Sequence, residues 1–322
     1  MAKPRILLTR RWPEAVQARL ARDYEASFND ADVAIGPEAI ARALGDYDAV
    51  LPTVSDQLPA SIFASTIRAR ILGNFGVGFN HIDVPAAQAA GLTITNTPGC
   101  LTDCTADLAI TLMLMVARRA GEGEREVRAG AWTGWRPTHM MGRKLSGRTL
   151  GIIGMGRIGL ATAHRARLGF GMNIVFHNRS RLDRPEIQEL DACQLTSVEE
   201  LMAASDVVSV HCPGGGANRH LVNAGALEAL GPDGILINTA RGDVVDFEAL
   251  IEALKSRRIA GAGLDVYENE PAVPEALRRM ENVVLLPHLG SATTETRVAM
   301  GMMVADNLDA FFAGLEPPNR VA

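Results

Sequence analysis

The segment from Gly154 to Gly159 constrains the fold more than any other, because it matches the pattern G-x-G-x-x-G. It follows an apolar run, Leu150 to Ile153, and opens a helical pattern from Arg157 to Arg167. Strand, glycine-rich turn and helix in that order predict a dinucleotide-binding βαβ unit, whereas an ordinary glycine turn needs neither neighbour. The residues expected to contact the cofactor are Gly154, Met155, Gly156, Arg157, Ile158 and Gly159.

Short apolar runs alternate with helical patterns along the rest of the chain, which predicts an α/β fold with two doubly wound parallel sheets. The chain of 322 residues is long enough for two such units, and the patterns divide near residue 100. The pattern from Asp103 to Arg119 is apolar nearly all round, so we expect a buried helix there. The closing helix, Thr293 to Phe312, follows the last strand of the second unit and is expected to return to the first.

The composition excludes several classes of protein. Hydrophobic residues make up 47% and the net charge is −5, so we expect neither disorder nor nucleic-acid binding. The longest apolar-rich stretch, Leu108 to Ala117, is shorter than the ~20 residues of a membrane helix, so no membrane partner is expected. The amino-terminal residues lack the apolar core of a signal peptide, which predicts a cytoplasmic location. Cys100, Cys104, Cys193 and Cys212 form no C-x-x-C pair, and we predict free thiols and no metal site.

The residues after the second strand of this unit bear on the choice of cofactor. An NAD-binding domain usually carries an acid about 20 residues past the glycines, where it binds the ribose 2′-hydroxyl. Here the segment reads Asn178-Arg179-Ser180-Arg181, and the first acid is Asp183. Arg and Ser attract a 2′-phosphate that an acid would repel, so NADP(H) is the preferred prediction. If the two arginines are merely solvated, NAD(H) is also accepted.

Three polar residues follow late strands of the same unit, where ligands bind in doubly wound sheets. Arg241, Glu270 and His288 together suit hydride transfer at a 2-oxo acid. Arg can bind a carboxylate through two hydrogen bonds, His can deliver a proton, and a carboxylate can orient the His. Taken singly, each has an ordinary structural explanation: a surface cation, a loop charge and a strand-end histidine.

Several ordered motifs together resemble the D-isomer-specific 2-hydroxyacid dehydrogenase family, nearest its glyoxylate/hydroxypyruvate reductase branch, over nearly the whole chain. The matching stretches are Asn74 to Asp83, Thr95 to Gly99, Thr149 to Gly159, Asn238 to Gly242, Gly263 to Pro271 and Pro287 to Ser291. The resemblance implies a Rossmann-like cofactor domain at residues 102–291. This domain would be inserted in a flavodoxin-like substrate-binding domain at residues 1–101 and 292–322.

The resemblance also implies the roles of the site residues. Arg241 would bind the substrate carboxylate and carbonyl, His288 would donate the proton, and Glu270 would pair with His288. Backbone N–H groups would hold the same carboxylate, because a glycine-rich turn makes an anion-binding nest. The residues of that turn are Asn74, Phe75, Gly76, Val77 and Gly78.

Further cofactor contacts are implied at the remaining family positions, with Asp265 placed to orient the nicotinamide carboxamide. Those positions are Thr105, Cys212, Pro213, Asn218, Thr239, Ala240, Arg241, Asp265, His288 and Gly290. One stretch departs from the family: Gly214-Gly215-Gly216 replaces a run that in many relatives carries hydroxyls and a proline. A threonine contact expected there is in doubt, and Asn218 is the candidate to replace it.

The segment Trp132 to Pro137 resembles one that, in this branch, reaches from one subunit into the active site of the other, which implies a homodimer. Tryptophans in a loop are typical of such contacts, although a tryptophan can also cover its own domain. We therefore include Trp135 among the substrate-binding candidates. Phe75, His81, Met140 and Met141 are further candidates for the substrate pocket.

The resemblance implies NADPH-preferring reduction of glyoxylate or hydroxypyruvate to the 2-hydroxy acid, with NAD(H) possible. Another 2-hydroxyacid specificity remains open, because such substrates differ by groups that one or two pocket contacts distinguish. A dinucleotide-sensing binding protein of the same fold is a second alternative, since fold alone does not establish catalysis. A formate dehydrogenase is disfavoured, because that branch carries Gln where this chain has Glu270.

Overall fold

The computed structural model describes residues 2–321. Its strands are β1 (Arg5–Leu8), β2 (Glu25–Ser27), β3 (Ala49–Leu51), β4 (Ile71–Gly73), β5 (Thr93–Thr95), β6 (Thr149–Ile153), β7 (Asn173–His177), β8 (Cys193–Gln194), β9 (Val207–Val210), β10 (Ile235–Asn238), β11 (Gly261–Leu264) and β12 (Val283–Leu285). Its α-helices are α1 (Glu14–Asp23), α2 (Pro37–Asp46), α3 (Val84–Ala89), α4 (Thr102–Ala117), α5 (Ala120–Arg128), α6 (Arg157–Phe170), α7 (Pro185–Gln188), α8 (Val198–Ala203), α9 (Ala224–Leu230), α10 (Phe247–Lys255), α11 (Glu275–Arg278) and α12 (Thr294–Phe312). Short 3₁₀ helices lie at Ala60–Ala64, Gly216–Asn218 and Gly242–Val244.

The chain forms two compact units, and the first comprises the residues up to Leu101 together with those from Ala292 onward. Its parallel sheet has the strand order β2-β1-β3-β4-β5, which is the flavodoxin-like order. Val50 of β3 contributes to one hydrophobic cluster and Leu51 to another, so the strand is buried on both faces. The closing helix α12 packs on this sheet at Gly73, where a Cβ would lie 2.7 Å from Cγ1 of Val304.

The second unit, Thr102–Ser291, has a parallel sheet of seven strands in the order β12-β11-β10-β9-β6-β7-β8. Ile152 and Ile153 of β6 belong to different hydrophobic clusters, so this strand is also covered on both faces. The chain runs outward from β6 to β8 and then crosses back to β9 on the other side of β6. Ligands bind at such a switch point, beyond the carboxyl ends of the strands.

The prediction of two doubly wound parallel sheets is confirmed, including the flavodoxin-like and Rossmann-like forms. The apolar helix α4 is buried on one side only, where Leu112 and Met113 are fully covered. Its residues Asp103, Asp107 and Thr111 are exposed, so the expectation of a buried helix holds only in part. The helix ends at Ala117, before the predicted end at Arg119, because Arg119 adopts a left-handed φ of 53° that stops one helix before α5 begins.

Several elements were not predicted from the sequence. The strand β2 is a short, mostly polar edge strand, which gives little periodic signal. The helix α2 does carry a signal, since Pro37 stands at its first position and Ile40, Ala43 and Leu44 face the core. The helix α9 is capped by the side chain of Asn223, which accepts the N–H of Ala226. Among residues 2–321, every helix is too short or too polar to span a lipid bilayer.

Candidate active site

The glycine-rich turn lies at the carboxyl end of β6, next to the end of β9. Gly154 has a φ of 96°, which favours glycine, and a Cβ there would lie 2.7 Å from the backbone nitrogen of Cys212. Gly159 packs directly on the carbonyl of Gly154. A Cβ on Gly156, by contrast, would meet no atom within 4 Å. The turn is therefore closed towards the protein and open at its middle glycine.

The features around this turn fit a bound dinucleotide. Gly156 is the N-cap of α6 and offers no side-chain cap, so the N–H groups of the first turn can bind a pyrophosphate. The hydroxyl of Thr239, at the end of β10, is buried and has no hydrogen-bond partner among the described residues. Burial lowers the pKa of His211 to about 3 and raises that of Cys212 to about 12. Both therefore stay neutral near pH 7, and the end of β9 adds no negative charge.

The segment after β7 runs along the outer side of the turn. The Oδ1 atom of Asn178 accepts the backbone N–H of Met155 at 2.6 Å. Arg179, Ser180 and Arg181 are exposed, and within residues 2–321 neither arginine forms an ion pair. Gln194 fixes this segment by donating to the carbonyl of Ser180 at 3.0 Å. The structure thus leaves two cations available beside the proposed ribose position.

Arg241 is held at the end of β10 by a residue that the sequence analysis did not single out. The buried side chain of Asn238 donates to the carbonyl of Arg241 at 2.9 Å and accepts the N–H of Ala240 at 3.0 Å. Gly242 packs against the backbone of Tyr267, which leaves no room for a side chain. The loop of Arg241 is therefore packed directly against the loop that leads to Glu270. Burial lowers the pKa of Arg241, and the charge of Glu270 opposes that effect.

Glu270 and His288 are hydrogen-bonded, with Oε2 of Glu270 2.8 Å from Nδ1 of His288. The other carboxylate oxygen accepts the backbone N–H of Tyr267 at 2.9 Å. Burial alone would raise the pKa of Glu270, but the net shift is downward. The pKa is lowered by the hydrogen bond and charge of His288, by the N–H of Tyr267 and by the charge of Arg241. The structure thus brings together the three predicted catalytic residues at the ends of neighbouring strands.

The loop that carries His288 is anchored by Asp265. The buried carboxylate of Asp265 accepts the N–H groups of Leu289 at 2.6 Å and Gly290 at 2.8 Å. The hydroxyl of Thr105 donates to the carbonyl of Gly290 at 3.0 Å. Burial raises the pKa of Asp265, and the two N–H groups counter that shift. Asp265 therefore fixes the backbone beside a histidine whose φ of 56° is left-handed.

A potential substrate-anion nest lies in the other unit, in the turn from Asn74 to Gly78. The side-chain nitrogen of Asn74 donates to the carbonyls of Gly76 and Gly78, each at 3.0 Å, and Asn96 donates to that of Val77 at 2.9 Å. The N–H groups of Val77 and Gly78 have no partner among the described residues. Phe75 instead packs on Trp12, with ring centroids 4.6 Å apart.

A model of the D-isomer specific 2-hydroxyacid dehydrogenase NAD binding domain matches residues 110–290. The chain is also 42% identical to the glyoxylate reductase of Thermococcus litoralis, over 99% of this chain and 97% of that one. The chain belongs to the D-isomer specific 2-hydroxyacid dehydrogenase family. It is therefore an NAD(P)-dependent oxidoreductase.

The chain is also similar to other members of this family over nearly their full length. The glyoxylate reductase of Korarchaeum cryptofilum is 42% identical over 99% of this chain and 96% of its own. Among solved structures, the NADPH-dependent glyoxylate/hydroxypyruvate reductase of Sinorhizobium meliloti, in complex with NADP and malonate, superposes with a TM-score of 0.87. It is 38% identical over 100% of this chain and 97% of that one.

At Gly214, where the sequence departs from many relatives, the structure leaves no room for a side chain. A Cβ on Gly214 would lie 2.9 Å from the Cβ of Arg241, so the loop passes directly over the arginine. The carboxylate of Asp243 accepts the N–H of Gly215 at 2.6 Å. Asn218 donates to the carbonyl of Pro213 at 2.9 Å, so its amide is used within the loop.

The same loop is tied to the strand end that leads to Glu270. Arg219 and His220 both contact Oε1 of Glu268, at 2.7 Å and 3.1 Å. These anchors, none of them foreseen from the sequence, hold a loop that three glycines would otherwise leave mobile.

The predicted subunit-contact segment lies on the surface. The side chain of Trp135 is 82% exposed and that of Trp132 is 53% exposed. Val127 before this segment and Met141 after it are also exposed, so apolar side chains in and around the segment face solvent in the isolated chain. Among residues 2–321, no group of three or more potential metal ligands lies close together.

Proposed function

We propose that this protein reduces glyoxylate or hydroxypyruvate to the corresponding 2-hydroxy acid, with NADPH as the preferred reductant. The observation that carries the proposal is the 2.8 Å pair of Glu270 with Nδ1 of His288. It leaves Nε2 of the imidazole as the proton-donating atom. Malonate bound to the Sinorhizobium meliloti reductase also supports a small carboxylate as the ligand class.

In the proposed reaction, NADPH supplies the hydride to the carbonyl carbon and becomes NADP⁺. His288 gives a proton from Nε2 to the carbonyl oxygen, so one carbonyl becomes one alcohol. Glu270 orients the ring and balances the positive charge of the imidazolium. Arg241 binds the substrate carboxylate and polarises the adjacent carbonyl. In the other unit, the N–H groups of Val77 and Gly78, which have no partner among the described residues, are proposed to bind a carboxylate.

The preference for NADPH is proposed from the segment Asn178 to Arg181. Arg179 and Arg181 are exposed and form no ion pair within residues 2–321, so both are available to a 2′-phosphate. The first acid, Asp183, is engaged by Gln188 at 2.7 Å. The side chain of Asp265 and the hydroxyl of Thr239 are proposed to face the nicotinamide end. In this proposal residues 102–291 form the dinucleotide domain, and residues 1–101 with 292–322 form the substrate domain.

A homodimer is proposed from the apolar segment around Trp135. Apolar side chains that project singly are ordinary, but a run of them with two tryptophans is typical of a protein contact. Trp135→Ser would shift the protein towards the monomer in sedimentation analysis if the proposal holds. Exposed Leu168→Ser, on the outside of α6, is the matched control. The cytoplasmic location stays a prediction from the sequence.

The proposed reaction is tested by initial rates of nicotinamide oxidation with glyoxylate, with NADPH and NADH side by side. Faster turnover with NADPH at equal saturation is the expected result. Faster turnover with NADH would keep the reductase and reject the cofactor preference. No turnover of glyoxylate or hydroxypyruvate with either cofactor would reject the proposed substrates, and would favour another 2-oxo acid or a dinucleotide-sensing protein.

A further inference from the structure

Arg184 contacts the glycine-rich turn although it lies outside the segment proposed to take the 2′-phosphate. It stands just before α7, and its Nη2 atom donates to the carbonyl of Met155 at 2.8 Å. Its Nε atom is buried and has no hydrogen-bond partner among the described residues. Met155 is the second residue of the turn, and its own side chain is fully buried. The charged side chain of Arg184 is thus hydrogen-bonded to one backbone carbonyl of the glycine-rich turn.

The other side of Met155 is held in the same way. Its N–H is accepted by Oδ1 of Asn178 at 2.6 Å. Asn178 and Arg184 lie at the two ends of the segment between β7 and α7. Each therefore forms a hydrogen bond to one of the two peptide groups that flank Met155. No other side-chain contact to the turn from this segment is needed to fix both peptide planes.

Because a peptide group is planar, a hydrogen bond to its carbonyl also sets the direction of its N–H. The carbonyl of Met155 and the N–H of Gly156 belong to one trans peptide, so they point in opposite directions. By holding the carbonyl, Arg184 turns the N–H of Gly156 to the other side of the chain. Asn178 acts likewise on the preceding peptide, whose carbonyl, from Gly154, packs against Gly159. A Cβ on Gly156 would meet no atom within 4 Å, so neither side chain fills the space beside that residue.

Charge adds to this effect. A guanidinium keeps its positive charge at any physiological pH, and hydrogen bonds from charged donors are stronger than neutral ones. Placed behind the turn, the charge adds to the positive potential of the α6 amino terminus, where a pyrophosphate would bind. A buried Nε–H without a partner is rare in proteins and costs stability, so the stability of the fold alone does not account for this side chain.

We propose that Arg184 is a positioning residue for the dinucleotide: it orients the Met155–Gly156 peptide for the pyrophosphate and joins this turn to the segment beyond β7. The inference rests on the proposed function only in that the ligand is a nicotinamide dinucleotide. Because the pyrophosphate is common to NADPH and NADH, loss of Arg184 must weaken both cofactors alike. A direct contact with the 2′-phosphate would instead weaken NADPH alone.

The test compares Arg184→Ala and Arg184→Lys with wild type, using dissociation constants for NADPH and NADH from nucleotide fluorescence without substrate. We expect Arg184→Ala to raise both constants about 10-fold, the loss that one charge-assisted hydrogen bond carries. Lys retains the charge and one donor, so its constants should lie between those of wild type and the Ala variant. The kcat at saturating cofactor should stay within about twofold, since the reacting groups are untouched.

Arg167→Ala is the matched control. Its Nη1 also donates to a backbone carbonyl, that of Met172, at 3.3 Å, but at the opposite end of α6 from the turn. This variant should bind both cofactors as wild type does. If it loses as much affinity as Arg184→Ala, general destabilisation explains both losses and the proposal fails.

Unchanged constants in Arg184→Ala would overturn the proposal, and so would a loss confined to NADPH. If thermal denaturation shows that Arg184→Ala does not fold, Arg184→Lys decides alone, and constants equal to those of wild type would reject the positioning role. Wild type that binds neither nucleotide would contradict the proposed function itself, which distinguishes that failure from the failure of this inference.

Discussion

Glu270 holds the imidazole of His288 through Nδ1 at 2.8 Å, while its second oxygen is fixed by the N–H of Tyr267. The carboxylate is thus itself oriented before it orients the histidine. Because Nδ1–H donates to the carboxylate, the ring can give up a proton from Nε2 only as the imidazolium, whose positive charge Glu270 balances. A histidine held at both its backbone and its ring can act as a proton donor without reorganising during the reaction.

Replacing His288 tests the proton donor. We expect His288→Ala to lower kcat by at least ~100-fold, the usual contribution of a general acid, while NADPH still binds. Measurement of kcat by nicotinamide absorbance, with NADPH affinity by fluorescence, separates the two effects. His164→Ala, in the middle of α6, is the control and should keep wild-type kcat. Wild-type turnover in His288→Ala would exclude His288 as the proton donor.

The lowered pKa of Glu270 predicts a pH dependence of stability. Its folded-state pKa lies below the ordinary value of 4.5, so the ionised carboxylate stabilises the native state above that pH. As the pH falls through the folded pKa, the carboxylate takes up a proton and this stabilisation is lost. Glu270→Gln keeps the shape without the charge.

Urea midpoints of wild type and Glu270→Gln are compared from pH 3 to 7. Wild type should be the more stable at pH 6 to 7, and the difference should shrink below pH 4.5. Glu228→Gln, on α9, is the control and should show no such pH-dependent difference. A Glu270→Gln difference that stays constant over the whole range would contradict the assigned charge interaction.

The sequence predicts the fold class because buried parallel strands leave continuous apolar runs, as at Ile152 and Ile153. It also predicts the glycine turn and the strand-end residues Arg241 and His288, since their spacing follows the order of the strands. Short polar elements such as β2 are not predicted because they bury few apolar side chains. Their sequences therefore show no hydrophobic periodicity.

The contacts that position the site could not be found in this way, although the resemblance names Asp265 as a cofactor residue. Asn238 and Asp265 act through backbone groups that only the folded chain brings near them. Position 242 requires glycine because the backbone of Tyr267 packs against it and leaves no room for a side chain. The local sequence gives no sign of this contact. Such roles depend on tertiary neighbours, so the identity of the residue alone carries no signal for them.

Arg179 is the sharpest test of the cofactor preference. We expect Arg179→Ala to raise the KM for NADPH about 10-fold or more and to leave that for NADH nearly unchanged, because only NADPH carries the 2′-phosphate. Initial rates with each cofactor at saturating glyoxylate measure the two constants. Arg148→Ala, which breaks a surface ion pair with Asp206, is the control and should change neither constant. Equal losses for both cofactors in Arg179→Ala would refute a contact with the 2′-phosphate.

Gly214 tests whether the triglycine loop sets the position of Arg241. A Cβ on Gly214 would lie 2.9 Å from the Cβ of Arg241 and would also crowd the carboxylate of Asp243. We therefore expect Gly214→Ala to displace the arginine and to lower kcat/KM for the 2-oxo acid about 10- to 100-fold, the cost of misplacing a binding group by about 1 Å. Cofactor affinity should change far less, because the glycine-rich turn is untouched.

Gly169→Ala is the matched control for that change. Gly169 lies in α6, and a Cβ there would meet no atom within 4 Å, so the alanine should be accommodated with wild-type kcat/KM. Its expected effect on unfolding is a gain of up to ~1 kcal/mol, because alanine favours a helix over glycine. If Gly214→Ala matches this control in kcat/KM, the loop does not govern the arginine. Arg241→Lys and the double variant Gly214→Ala/Arg241→Lys test this further. If both lose the same factor in kcat/KM, the two substitutions act through the same interaction, because their effects do not add.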